Sequence, residues 1–273
     1  MELTAPLHAY LKTLCLPTIR DCYPEVVQQA VQESLSYEQF LLELLAREAL
    51  ARGEARIERR RHESRLPAAK RLTSFDLARL PLKVAQQIAA LRDGGFLDRR
   101  ENVLAFGNPG SGKTHLLCGL CHALIDQDRR VLYAPCSLLV QDLLLAKREL
   151  KLSALLKRLS RYEALLIDDL GYVQQSREEM EVLFTLLAER YERGSVLLTS
   201  NLPFSQWEAV FKDPMTTAAA IDRLVHHSVI LELNLASYRM EHAQHAHRPA
   251  GAERPSENGI SAGNVTSQNE TEG

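Results

Sequence analysis

An eight-residue, glycine-rich stretch at positions 107–114 most restricts the folds open to this chain of 273 residues. It reads Gly-Asn-Pro-Gly-Ser-Gly-Lys-Thr and matches the phosphate-loop pattern G-x-x-x-x-G-K-[ST]. The apolar run Val103–Phe106 precedes it and a helical, leucine-rich pattern follows it. The glycines let the backbone curl so that successive N–H groups face one anion, and the helix N-terminus adds partial positive charge. A Gly-Pro turn that fits by coincidence is the alternative, but the strand–loop–helix context favours a nucleotide site.

The predicted nucleotide-binding residues run without a break through this stretch and one residue beyond it. In the phosphate-loop template, Lys113 holds the β- and γ-phosphates and the Thr114 hydroxyl binds Mg²⁺. The full predicted set is Gly107, Asn108, Pro109, Gly110, Ser111, Gly112, Lys113, Thr114 and His115.

The second informative element is acidic and lies at 164–169, where an apolar run ends in two carboxylates, Asp168 and Asp169. Asp168 is predicted to complete the Mg²⁺ site with Thr114, as in the phosphate-loop template. Asp169 is then predicted to polarise the attacking water. A strand that ends in a solvated Asp-Asp turn is the alternative, and the presence of the phosphate loop makes it the weaker one.

The segment 99–245 alternates short apolar runs with helical patterns. The predicted strands are Val103–Phe106, Val131–Ala134, Ala164–Ile167, Val196–Thr199 and Val229–Leu233. Strands that are apolar throughout are typical of a parallel sheet covered by helices on both faces. We therefore predict an α/β fold, a doubly wound phosphate-loop domain, over 99–245.

The regions outside that segment have a different composition. Residues 1–70 predict a small helical domain for oligomerisation or for contact with DNA or a partner, with a capping box between Ser36 and Gln39. Residues 71–98 are interpreted as a linker and an entry helix. The stretch 246–273 is poor in apolar residues and is predicted to be a disordered tail.

Composition excludes several classes of protein. The net charge of −2 excludes a uniformly basic nucleic-acid binder, so contact with DNA requires a local patch. Segment 52–71 is one candidate, with eight arginines or lysines against three glutamates, a local charge of +5. A solvated helix face is its alternative.

Three features of the sequence bear on where the protein is located. No apolar run is long enough to span a membrane, and no secretory signal precedes the first helix. The five cysteines form no even-numbered disulfide framework. We therefore expect a cytoplasmic protein.

Weaker patterns carry less functional weight. The pair Cys118 and Cys121 falls inside the helix that follows the phosphate loop and is interpreted as ordinary core, not as a zinc or redox site.

In combination these motifs resemble an AAA+ ATPase, and more narrowly the transposition-helper ATPases of bacterial insertion sequences, the IstB family, which are related to the helicase loader DnaC. The resemblance covers about residues 1–245. The matching segments are 35–41 (LSYEQFL), 73–76 (TSFD), 108–116 (NPGSGKTHL), 166–172 (LIDDLGY), 198–201 (LTSN), 220–224 (AIDRL) and 237–239 (SYR).

The resemblance implies roles for residues that the spacing alone does not assign. Asn201 would be the sensor-1 residue that orients the attacking water, with its strand between those of the phosphate loop and Asp168; a plain turn residue is the alternative. Arg223 would be an arginine finger acting on a neighbouring subunit's nucleotide, and a surface helix charge is the alternative. Arg239 would correspond to the sensor-2 arginine, but too little sequence follows for the usual helical lid. Asp169 stands where many AAA+ enzymes have Glu.

The function implied by the resemblance is a Mg²⁺-dependent ATPase that forms a homo-oligomer on duplex DNA and regulates or targets a partner transposase encoded by the same element. Because subunits of the family assemble around duplex DNA, the resemblance also implies candidates for DNA contact in the ATPase core, namely Lys147, Arg148, Lys151, Lys157 and Arg158. A DnaC-like helicase loader and a nucleotide-gated DNA-binding module with negligible hydrolysis are the alternatives. The sequence has no guanine-recognition N-K-x-D element, which favours ATP over GTP.

Overall fold

The computed structural model describes residues 4–171, 176–208, 214–235 and 237. In chain order the helices are α1 (Thr4–Thr13), α2 (Pro17–Glu33), α3 (Tyr37–Ser64), α4 (Leu82–Leu91), α5 (Gly95–Asp98), α6 (Lys113–Asp126), α7 (Cys136–Arg148), α8 (Leu152–Leu159), α9 (Arg177–Arg190) and α10 (Pro214–Val225). The strands are β1 (Asn102–Gly107), β2 (Val131–Pro135), β3 (Ala164–Leu170), β4 (Ser195–Ser200) and β5 (Ser228–Leu233). Short 3₁₀ turns at Leu72–Ser74, Leu77–Arg79 and Phe204–Gln206 complete the described elements.

The five strands form one parallel sheet in the order β2-β3-β4-β1-β5. This confirms the predicted fold class, and each of the five predicted strands is present. Strand β4, which leads to Asn201, lies between β1 and β3, as the family resemblance implied. The carboxyl ends of all five strands therefore meet at one edge of the sheet, and the phosphate loop follows β1 at that edge.

Two apolar cores lie on opposite faces of the sheet, because successive strand side chains point in opposite directions. On β1, Leu104 packs into one core while Val103 and Ala105 pack into the other. The first core is covered by α7, α9 and α10, and the second by α4 and α6. Both faces of every central strand are thus buried, which explains why these strands have no polar face in the sequence.

The first three helices form a separate small apolar cluster, whose buried members are Leu11, Ile19, Val26 and Leu44. The predicted capping box is present at the start of α3: the Ser36 hydroxyl accepts the Gln39 N–H, and the Gln39 side chain accepts the Ser36 N–H. Inside the cluster, Glu48 is 3% exposed and its carboxylate accepts the Ile19 N–H at 3.0 Å.

Helix α3 continues beyond that cluster and packs against the turn between α6 and β2. Arg56 and Arg60 both form ion pairs with Asp128, at 2.8 and 2.9 Å, and Arg61 pairs with Asp126 at 2.7 Å. Because α3 joins both packing units, the domain boundary at residue 70 stays a prediction. The tail 246–273 lies outside the described residues, and no described helix is long and apolar enough to cross a membrane.

Candidate nucleotide-binding site

The phosphate loop connects β1 to the first turn of α6. Gly112 is the N-cap of α6 at φ 93°, and a Cβ atom there would lie 2.8 Å from the Phe75 ring, so only glycine fits without displacing that ring. Lys113 is the first residue of α6, and its Nζ donates to the carbonyl oxygens of Gly107 and Asn108 at 2.8 and 2.9 Å. The ammonium group is therefore held directly over the loop that precedes it.

Three hydroxyl groups donate to the carboxylate of Asp168 at the end of β3. Thr114 Oγ1 and Thr199 Oγ1 donate to Oδ1 at 2.7 and 2.6 Å, and the Tyr133 hydroxyl donates to Oδ2 at 2.9 Å. Asp168 is only 4% exposed. Burial, followed by the neighbouring Asp168 charge, raises the pKa of Tyr133, so the phenol keeps its proton and remains a donor.

Asp169 leaves the strand in a different direction from Asp168. It adopts φ 61°, and the pairing of β3 with β4 shifts between Ile167 and Leu170, which marks a β-bulge. Aspartate tolerates this left-handed conformation better than most residues. Its N–H donates to Thr199 Oγ1 at 2.8 Å, and its side chain is exposed at the carboxyl edge of the sheet. The bulge thus places both carboxylates at that edge, although adjacent residues of a regular strand would point to opposite faces.

A cavity of about 480 Å³ lies above the phosphate loop at this edge. It brings together most of the predicted site, including Lys113, Thr114, Asp169 and Asn201. A second wall of the cavity comes from residues that the sequence did not assign to the site: Lys70, Ser74, Phe75, Asp76, Arg79 and Leu235. The family motif at 73–76 was the available signal, but pattern analysis gave it no role.

His115 connects that second wall to the helix of the phosphate loop. Its Nε2 lies 3.0 Å from the Arg71 carbonyl and 3.1 Å from the Ser74 hydroxyl, and its ring meets that of Phe75 edge to face. Since a carbonyl only accepts, Nε2 must carry the proton. His115 lines the cavity and also fastens the 71–75 segment to α6.

Asn201 lines the same cavity as the phosphate loop and follows β4 directly. The turn that follows β4 is closed by Ser200, whose hydroxyl accepts the Leu202 N–H at 3.1 Å and lies 3.1 Å from the Leu202 carbonyl. The Ser200 hydroxyl thus closes this turn, and the assignment of Asn201 as the sensor-1 residue, with a plain turn residue as the alternative, stays a prediction.

Arg223 is not brought to this cavity. It lies near the end of α10, where its guanidinium donates to the Ala219 carbonyl at 2.9 Å and stands 4.7 Å from the centroid of the Phe184 ring. The Asn102 amide donates to the Leu224 carbonyl at 3.0 Å, so this end of α10 is beside the first residue of β1. At about 3.3 Å per residue, β1 separates that point from the phosphate loop by about 17 Å.

Apart from Lys70, the other described residues that the sequence analysis considered for metal binding or DNA contact do not line the cavity. Cys118 and Cys121 are fully buried in α6, and burial raises the pKa of Cys118 to about 12, so its thiol keeps its proton. Four arginines of the basic segment are paired within the chain: Arg52 with Glu48, and Arg56, Arg60 and Arg61 as described above. Lys147, Arg148 and Lys151 also pair, with Glu181, Glu178 and Glu149 respectively. Arg239 lies outside the described residues.

The side chains at the carboxyl edge suit a magnesium ion. Magnesium prefers hard oxygen ligands and is usually held by one or two carboxylates together with substrate phosphates. Thr114 and Asp168 offer a hydroxyl and a carboxylate in direct contact beside the phosphate loop. The hydrogen bond from Thr114 to Asp168 also leaves the threonine oxygen with lone pairs available to a metal.

Comparison with known proteins agrees with this geometry. The family model for the IstB-like ATP binding protein matches residues 9–246. The chain belongs to this family. An insertion-sequence ATP-binding protein of Sinorhizobium fredii is 41% identical over 251 residues, 90% of this chain and 84% of that protein. The ATP-binding protein of insertion sequence IS21 from Pseudomonas aeruginosa is 38% identical over 224 residues, 81% of this chain and 83% of that protein.

The fold also resembles that of a solved DnaA protein. The AMPPCP-bound DnaA of Aquifex aeolicus superposes with a TM-score of 0.53 at 15% identity, covering 67% of this chain and 55% of that chain. At this identity the likeness concerns the fold alone. The family match and the two relatives identify the chain as an IstB-like ATP-binding protein of the insertion-sequence type.

Proposed function

We propose that this IstB-family protein is a Mg²⁺-dependent ATPase that assembles on duplex DNA and regulates the transposase of its insertion sequence. One observation carries the proposal: the phosphate loop, the Thr114–Asp168 contact at 2.7 Å, Asp169 and Asn201 converge on one edge of the sheet. The phosphate loop is enough for a site that only binds nucleotide. Hydrolysis also requires groups that activate and orient the attacking water, and Asp169 and Asn201 face the same cavity.

In this proposal each side chain has a separate task. Lys113 holds the β- and γ-phosphates, and Asn201 orients the attacking water. Asp169 accepts the proton of that water as it attacks the γ-phosphorus, while the bond to the β,γ-bridging oxygen breaks to give ADP and phosphate. Thr114 and Asp168 would hold the magnesium ion, which supplies charge neutralisation at the phosphates when bound.

Arg223 makes assembly part of the proposed mechanism. The end of α10 that carries Arg223 lies beside the first residue of β1, so the length of that strand, about 17 Å, separates this backbone from the chain's own phosphate loop. A neighbouring subunit could present its Arg223 to this cavity, where an added positive charge would stabilise the transition state. We therefore propose that nucleotide is bound between subunits and that an isolated subunit hydrolyses ATP slowly.

Duplex DNA would bind through local basic surfaces. Within the basic segment, Arg59 and Arg65 are exposed, while four of its other arginines are engaged in ion pairs inside the chain. Backbone contacts by such residues give an affinity that falls steeply with salt and depends little on sequence. The names of the relatives, all insertion-sequence proteins, support a transposase as the partner in preference to a replicative helicase.

The test is phosphate release with and without duplex DNA, measured together with particle size in ATP. The Lys113→Ala variant is the control. We expect release that rises with DNA and with assembly, and that is absent in the control. Release no higher than in the control would leave a nucleotide-gated DNA-binding module. Capture of a replicative helicase, and not of the transposase encoded by the same element, would indicate a helicase loader.

A further inference from the structure

Thr199 occupies an unusual position between the two acidic residues at the end of β3. It lies on β4, the central strand of the sheet, and its side chain is fully buried. Its hydroxyl oxygen touches two groups at once: it donates to Asp168 Oδ1 at 2.6 Å and accepts the Asp169 N–H at 2.8 Å. The sequence motif around Asn201 did not assign it any role.

The hydrogen bond from the Asp169 N–H to Thr199 takes the place of a backbone hydrogen bond between β3 and β4. In a regular parallel ladder a backbone N–H of β3 pairs with a carbonyl of β4. At the bulge between Ile167 and Leu170 the register shifts, and the Asp169 N–H is bonded to the Thr199 side chain. Thr199 thus satisfies the backbone donor that the left-handed turn at Asp169 removes from the ladder.

The first hydrogen bond orients the other carboxylate. A hydroxyl has one proton to donate, and Thr199 donates its proton to Asp168. Together with the Tyr133 hydroxyl on Oδ2, it determines the plane of the carboxylate that faces Thr114. Groups that orient a metal-binding carboxylate affect metal affinity and activity by about tenfold or more when they are removed.

We propose that Thr199 is a positioning residue that sets the placement of both Asp168 and Asp169 through one hydroxyl group. The proposal rests on the proposed ATPase function. Thr199 is fully buried and is not among the residues that line the cavity; it acts by orienting the Asp168 carboxylate and by stabilising the bulge from which Asp169 reaches the cavity.

Thr199→Val removes the hydroxyl and keeps the shape of the side chain, and Thr199→Ser keeps the hydroxyl. Two quantities are measured: the affinity for a fluorescent ATP analogue in EDTA and in Mg²⁺, and kcat for ATP hydrolysis. For the valine variant we expect unchanged affinity in EDTA, a loss of about tenfold in the Mg²⁺-dependent gain in affinity, and a loss of about tenfold in kcat. The serine variant should retain both.

Tyr133→Phe is a matched comparison, because it removes a hydroxyl from Asp168 without affecting the N–H of Asp169. It should reduce the Mg²⁺-dependent gain in affinity and lower kcat less than Thr199→Val does. Melting temperature reports whether each variant folds. Should the valine variant not fold, Thr199→Ser and Thr199→Ala repeat the comparison, since they differ only by the hydroxyl.

The proposal is overturned if Thr199→Val matches the wild type in both measurements, or if Thr199→Ser is as impaired as the variants without a hydroxyl. The second result would make Thr199 a packing residue only. Failure of the proposed function is distinguishable from either: a wild type that hydrolyses no more ATP than Lys113→Ala removes the ATPase, while the Mg²⁺-dependent affinity still tests Thr199.

Discussion

The two edges of the central sheet use buried polar groups in opposite ways. At the carboxyl edge, Asp168 collects three hydroxyl donors, and the cavity of about 480 Å³ beside it is large enough for a ligand. At the amino edge, Arg190 is 3% exposed and donates to four backbone carbonyls, those of Leu159, Tyr162, Glu163 and Ser195. The cavity near Arg190 measures only about 10 Å³.

This difference separates groups that bind a ligand from groups that stabilise the fold. Burial lowers the pKa of Arg190 to about 10, so it is still protonated at neutral pH, and its partners are oxygens of its own chain. At the carboxyl edge, charged groups face a space that a phosphate and a metal ion could fill. Arg223 also lies at the amino edge, and it is the exception in this comparison, because its proposed role in hydrolysis requires the nucleotide of a second subunit.

Lys113→Ala tests the carboxyl edge most directly. We expect nucleotide affinity to fall by at least about a hundredfold, because the ammonium group is the loop's charged contact to the phosphates. The melting temperature should change little. Titration with a fluorescent ATP analogue measures the first quantity and a thermal melt the second. Retained nucleotide affinity would contradict the assignment of the loop.

Asp169→Asn separates binding from chemistry at the same edge. Asparagine tolerates the left-handed conformation as readily as aspartate, so the bulge should persist. Nucleotide affinity should stay close to that of the wild type, while turnover should fall by about a hundredfold or more because the proton acceptor is lost. Single-turnover phosphate release measures this. Turnover equal to that of the wild type would exclude Asp169 as the base.

Arg190→Met is the corresponding change at the amino edge. Four carbonyls lose their donor in a place that water does not reach, so the free energy of unfolding should fall by about 3 kcal/mol. Urea denaturation measures the loss. Nucleotide affinity below the unfolding transition should match the wild type, which is the reverse of the result for Lys113→Ala. A stable variant with weakened nucleotide binding would break the comparison between the edges.

Arg223→Ala tests the exception. The side chain is half-buried at the surface near α9, so we expect little change in stability and no change in ATP affinity. The DNA-stimulated rate should fall by at least about tenfold, because the neighbouring site loses a positive charge. Mixing this variant with Lys113→Ala should restore part of the rate, since some interfaces would then pair an intact loop with an intact arginine. Isolated subunits hydrolysing at the full rate would exclude a role in trans.

The strands and the phosphate loop were predictable because each is encoded in a short stretch of sequence. The apolar run before Gly107 predicts a buried strand, and the glycine pattern with its lysine predicts an anion site wherever the strand lies in the sheet. The capping box at Ser36 was equally local and is confirmed. The pair Cys118 and Cys121 was also interpreted correctly as helix core, because positions i and i+3 of a covered helix share a buried face.

Other features depended on contacts between distant parts of the chain. Phe75 and Arg79 form the second wall of the cavity only because their segment packs on α6, which begins more than thirty residues later. The sequence marked the basic segment as a candidate for DNA contact but did not show that Arg56 and Arg60 pair with Asp128, some seventy residues away. Patterns within a short window cannot reveal such partners.

By itself, then, the sequence determined the parallel sheet, the place of the phosphate loop and the two acidic residues that follow β3, because periodicity and turn chemistry act over neighbouring residues. Only the tertiary structure decided that Thr199 and Tyr133 hold Asp168, that Asp169 turns outward at a bulge, and that Arg223 lies at the far edge. These relations follow from strand order and register, which bring together residues that no short pattern connects.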